Sequence, residues 1–160
     1  MKQILVMIIT VVAVLVLVGC SEDTRKSAPA PSESKNIIAD NIVDKAIRKE
    51  LKKPEGELTK VDYEKVTALS LGLNQLTSVK GLEKLTQLKE LALWHNKLTD
   101  VKGLEKLTQL MYLLLQNNQL TSVKGLEKLT QLKTLSLAGN QLTDVKGLEN
   151  LTQLSSLILL

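Results

Sequence analysis

The most regular feature of the chain is a hydrophobic pattern with a period of 22 residues. Leucine or valine recurs at Val66, Leu88, Leu110, Leu132 and Leu154, then at Leu69, Leu91, Leu113, Leu135 and Leu157, and again at Leu71, Leu93, Leu115, Leu137 and Leu159. Asparagine follows at Asn74, Asn96, Asn118 and Asn140. A fixed period of this size indicates a solenoid, in which each unit buries its apolar face only against its neighbours. Within a unit the Leu-x-Leu step has period two, which predicts a short strand with leucines on one side and the intervening residues on the other. Such strands stack in parallel. An inward Asn carries both donor and acceptor groups and can satisfy the turn backbone at each level, forming a ladder. Leu76, Val79, Leu82 and Leu85 with their repeats return the chain along the convex side, where Gly81, Gly103, Gly125 and Gly147 release a tight bend.

Upstream the pattern changes. Residues 37–53 carry Ile38, Ile42, Ala46, Ile47 and Leu51 at helical spacing, and Pro54 and Gly56 follow as a stop signal. A second, shorter helix is predicted after Thr59, whose hydroxyl can cap the backbone while Asp62 sits near the positive end of the dipole. Residues 37–65 thus form a helical cap over the open end of the repeats. Residues 21–36 are polar, contain Pro29 and Pro31, and show no apolar period, which predicts a flexible tether with a span of roughly 20 to 24 Å. Residues 4–18 are uncharged and apolar apart from Thr10, and Lys2 precedes them. A membrane span needs about 20 apolar residues, so this stretch reads as the core of a cleaved signal peptide.

The stretch ends in Leu17, Val18, Gly19 and Cys20, which resembles the lipobox of bacterial lipoproteins. That resemblance implies removal of residues 1–19 and acylation of Cys20, with the covalent lipid as the only non-protein group and no other cofactor. Two or three acyl chains anchor stably where one would not. The repeat pattern LxxLxLxxNxLxxVxGLxxLxx is similar to the 22-residue leucine-rich repeat of internalins over residues 66–160, as four full units and a partial fifth. Residues 37–65 resemble the N-terminal caps of such proteins. The resemblance implies an α/β leucine-rich-repeat solenoid with short parallel strands on its concave face, a 3-10 or irregular convex side and an N-terminal helical cap. It also implies a protein partner held in the concave face.

Composition narrows the function. The chain is 44% apolar yet has no Phe and only Tyr63, Trp94 and Tyr112 as aromatics, so leucine stripes must fill the interior. Cys20 is the single cysteine, which excludes an intramolecular disulfide. Loss of residues 1–19 removes Lys2 alone and lowers the net charge from +4 to +3, too small an excess to predict nucleic-acid binding. His95 is the only histidine and the acids recur by repeat, so neither a metal site nor a catalytic site is predicted, and the chain is not read as an enzyme. The Lys80, Glu83 and Lys84 columns are expected to be a solvated convex face with mutual pairing, each pair contributing about 0 to 1 kcal/mol.

The repeats vary unevenly. Residues 76–88 recur almost unchanged, with Ser78, Asp100, Ser122 and Asp144 alternating at one position, whereas the outward strand positions differ in every copy. Two aromatics fall on this concave face, so Trp94, Tyr112 and Leu114 are the expected anchors for a protein partner, with Glu90, His95, Gln116 and Asn117 as their polar rim. The ending SSLILL carries no polar cap, which leaves an alternative open: a structural or truncated repeat piece that self-associates through its C-terminal edge. The expected location is the cell envelope, at the outer membrane of a two-membrane organism and otherwise on the outer face of the cell membrane.

Overall fold

The computed structural model describes residues 31–159. The signal segment, Cys20, the tether through residue 30, the side chains of residues 31–40, Ile38 among them, and Leu160 lie outside what the structure describes. Two helices, α1 (Pro31–Glu50) and α2 (Lys60–Lys65), precede five three-residue strands: β1 (Ala68–Ser70), β2 (Glu90–Ala92), β3 (Tyr112–Leu114), β4 (Thr134–Ser136) and β5 (Ser156–Ile158). The strands form one parallel sheet in chain order, offset by 22 residues at each step, so Leu69, Leu91, Leu113, Leu135 and Leu157 stand in register. The side chains of the first four belong to one continuous leucine core, which Leu157 at the edge leaves partly uncovered. Leu98, Leu104, Leu107, Leu110, Leu113 and Leu115 in the central coils are fully buried. Each such leucine contributes about 1.5 to 3 kcal/mol.

α1 starts at Pro31, so residues 31–36, expected as tether, are helical. Proline is pre-organised for the first helical position, where its missing N–H would have had no partner. The helix also stops earlier than residue 53, and Gly56 is not its cap. Lys53 N–H bonds to Arg48 C=O at 2.9 Å and Lys52 N–H to Lys49 C=O at 3.2 Å, while Lys52 adopts φ +52°. This is a Schellman closure with lysine in the left-handed position that glycine usually takes. Among the described side chains of α1, Val43 and Ile47 are buried, and Ile42, Ala46 and, just past the helix, Leu51 pack partly against the core. α2 opens with a capping box. The Thr59 hydroxyl accepts from Asp62 N–H, and Asp62 Oδ2 accepts from Thr59 N–H at 2.9 Å and from Lys53 Nζ at 2.7 Å. These bonds tie both cap helices and the loop between them.

The convex side carries an order that the expected picture of paired surface charges does not include. Gly81, Gly103, Gly125 and Gly147 have φ between +92° and +107°. At each of them a glutamate two residues on accepts the glycine N–H: Glu83 at 2.7 Å, Glu127 at 2.7 Å and Glu149 at 2.6 Å, with Glu105 on Gly103 likewise. These bonds hold the Glu105 and Glu149 carboxyls below the usual range, first through their own backbone N–H and then through that of the glycine. The glutamate column therefore organises turns, a task that the even Lys and Glu spacing did not reveal. The alternating position is explained in the same way. Ser78, Asp100, Ser122 and Asp144 each accept the N–H of the lysine two residues on at 3.1 Å, which either side chain can do.

Candidate functional site

Residues between the core leucines point away from the core and make the concave face. Parallel register sets Glu90 beside Ala68 and Tyr112, and Ala92 beside Ser70 and Leu114. Ala68, Ser70 and Ala92 are small while Tyr112 and Leu114 on β3 are large, so the face is not flat. A groove of about 260 Å³ results, lined by Ala68, Ser70, Ala92, Glu90, Tyr112 and Leu114, with Glu50 from the end of α1 at its margin. Tyr112 is 42% exposed and Leu114 is half-buried. Both present apolar surface to a ligand without depending on one for burial.

The seven residues expected to form a single patch fall into two groups. Glu90, Tyr112 and Leu114 line the groove. Trp94, His95, Gln116 and Asn117 lie outside its lining, beyond the C-terminal ends of β2 and β3. Trp94 lies against the backbone of Gly72, since a Cβ built on that glycine would come within 2.4 Å of the indole ring. Its edge meets the His95 ring at 5.6 Å and 85°. His95 Nε2 sits 2.9 Å from Asn117 Nδ2. Gln116 is half-buried, and its Oε1 is shielded from solvent and has no hydrogen-bond partner. The indole is therefore partly buried against the Gly72 backbone and lies apart from the groove.

Glu50 and the groove's small floor were not among the expected contacts. Strand alternation puts Ala68, Ser70 and Ala92 outward, but a missing side chain reads as space only after its neighbours on both strands are known. Glu50 comes from another element, and nothing local to its helix points to the sheet.

The asparagines form the supporting ladder. Asn118 Oδ1 accepts from Leu98 N–H at 3.1 Å, and its Nδ2 donates to the carbonyls of Leu93 and Leu115 at 3.0 Å. Asn96 bridges Leu76 N–H to the Leu71 and Leu93 carbonyls, and Asn140 bridges Leu120 N–H to those of Leu115 and Leu137. The carbonyls of Leu93 and Leu115 thus each accept from two successive asparagines. Asn74 heads the column and donates to Gly72 C=O at 2.8 Å. A larger hollow of about 350 Å³ lies at the seam between cap and first repeat, where Lys84 Nζ stands 5.4 Å from the Tyr63 ring. Half its lining belongs to the conserved-length convex turn, so we assign it to the joint rather than to recognition. Among the described residues no group of three or more His, Cys, Asp or Glu could hold a metal ion, and no helix is long and apolar enough to cross a membrane.

Comparison with known proteins agrees with this architecture. The family model for leucine-rich repeats (2 copies) matches residues 64–106, 86–128 and 108–150, over half of the chain. An internalin (inlF) from Listeria monocytogenes is similar in structure, with a TM-score of 0.72 and 33% identity, over 84% of this chain and 40% of that one. Internalin C2 (inlC2) of the same species gives a TM-score of 0.72 and 31% identity, over 77% of this chain and 56% of that one. This chain therefore spans about half or less of either structure. No curated protein sequence matches it. With the repeat, the parallel sheet and the asparagine ladder all in register, the chain belongs to the leucine-rich-repeat family.

Proposed function

We propose that this protein is an envelope lipoprotein, anchored through an acylated Cys20, that binds a protein partner on its concave face and is not an enzyme. The observation that carries the binding reading is the groove. On the variable strand face the groove gathers Tyr112 and Leu114 beside a floor of small residues, with Glu90 and the α1 residue Glu50 alongside. Aromatic anchors beside a pocket are what protein interfaces use, because rings bury large areas while losing little rotamer freedom. The similarity to internalins supports the same class of role. The signal-peptide pattern and lipobox support the anchor, and the location follows from them: the outer membrane where there are two membranes, otherwise the outer face of the cell membrane.

The test is affinity capture from envelope extracts with the full chain as bait, beside the Tyr112→Ala, Leu114→Ala double variant. A protein retained by the first and lost by the second, with unchanged circular dichroism, is the expected result. Equal retention by both would remove the concave face from the function. A second reading rests on the edge strand, where Leu157, Ile158 and Leu159 are 40 to 47% exposed. It makes the chain a structural element that joins to a second copy, and size-exclusion chromatography showing dimers that Leu157→Lys dissociates would favour it.

A further inference from the structure

The outer side of α1 carries charge that neither the core nor the groove uses. Lys45, Arg48 and Lys49 follow the spacing i, i+3, i+4 and share one face of the helix end, away from buried Val43 and Ile47, and Lys52 joins them from the turn that closes the helix. Together with Pro54 they line a shallow hollow of about 380 Å³. Arg48 is held in place by Asp44 at 2.7 Å and by the Gly56 carbonyl at 2.9 Å. Lys45, Lys49 and Lys52 are exposed and have no carboxylate partner among the described residues. Lys52 occupies the left-handed closing position of the helix at φ +52°, a place glycine takes without strain.

We propose that this stripe lies against an anionic phospholipid surface and orients the repeats on it. The inference rests on the anchored reading above. Ten residues separate Cys20 from Pro31, and their extended reach of about 36 Å exceeds the roughly 30 Å length of α1, so the helix can lie along the bilayer to which Cys20 is fixed. A basic cluster close to a lipid anchor is the arrangement in which a small charge adds usefully to membrane attachment. The stripe and the groove belong to different faces of the cap, since Glu50 lines the groove and none of the stripe residues does. The groove therefore stays open while the stripe is occupied.

The experiment is lysine footprinting of the full chain bound to vesicles of phosphatidylcholine alone or of phosphatidylcholine with phosphatidylglycerol. Amine labelling is read residue by residue, with the convex Lys124 and Lys146 as references. Lys45, Lys49 and Lys52 should label several-fold more slowly on the anionic vesicles, the references equally on both, and about 1 M salt should erase the difference. Lys52→Gly should melt at a higher temperature than wild type and yet lose part of the protection at Lys45 and Lys49. Equal labelling on both lipids overturns the proposal, as does protection spread evenly to the references. Protection produced only by an added oligonucleotide overturns it too and reassigns the stripe to nucleic acid. A chain that stays free of neutral vesicles refutes the anchor. In that case stripe protection on anionic vesicles still upholds the surface contact, and binding to neither vesicle removes both.

Discussion

At the scale of single residues, one repeat column records what each backbone position demands. Leu73, His95, Asn117 and Gly139 occupy equivalent places and all have positive φ, from +51° to +66°. Glycine and asparagine suit that region, whereas leucine is strained there by about 1 to 2 kcal/mol, and Leu73 is 67% exposed, so little burial offsets the strain. Leu73→Asn should raise stability by about 0.5 to 1 kcal/mol, read as a higher urea midpoint with an unchanged slope. The ladder gives the opposite kind of residue. Without the Asn118 side chain, buried Leu98 N–H has no acceptor, although the carbonyls of Leu93 and Leu115 keep Asn96 and Asn140. Asn118→Ala should therefore cost about 2 to 3 kcal/mol, and Asn74→Ala, which frees only Gly72 C=O, less than about 1 kcal/mol by the same denaturation. The ladder positions were legible in the sequence because an Asn at fixed phase has little other use. The strain at Leu73 was not, because exposed leucine looks like every other leucine of the pattern until φ is known.

Elements differ in how far their residues announce them. The strands follow from period two, and their parallel order from the solenoid. The cap was legible as two helices but not in its ends, because Pro31 looks like part of a tether and the stop at Lys52 uses a residue with no turn signature. Its joint is electrostatic. Asp62 is buried, and Lys53 first, then the Thr59 backbone and hydroxyl, hold its carboxyl far below the usual range near 4. Because the folded value is depressed, its contribution is fully present above about pH 4 and fades as pH falls toward the folded value. Stability of the wild type should thus decline below about pH 4 more steeply than that of Asp62→Asn, with the two curves drawing together as pH falls further. Glu105 and Glu149 shift in the same direction and remain in both proteins, so only the difference between the curves reports the cap. Parallel curves would show that the Lys53 contact contributes nothing to folding.

For the whole molecule, the decisive property is that each coil is buried by its neighbours and by nothing else. Leu91, Leu113 and Leu135 are 0 to 2% exposed, whereas Leu157, at the same phase in edge strand β5, is 42% exposed. The other edge is covered, because α1 packs against β1. Stability in such an array is approximately the sum of unit terms and nearest-neighbour terms, so it need not be uniform along the chain. Amide hydrogen exchange should then be slowest in β2 and β3 and fastest in β5, with rates differing by about 100-fold or more, as expected if opening the last coil alone breaks one interface where opening a central coil breaks two. Leu113→Ala should cost about 2 to 5 kcal/mol and accelerate exchange in β2, β3 and β4 together, while Leu157→Ala should act on β5 alone. Uniform protection from α1 to β5 would mean instead that the array unfolds as one unit, and the groove between α1, β1 and β3 would then be as rigid as the core beneath it.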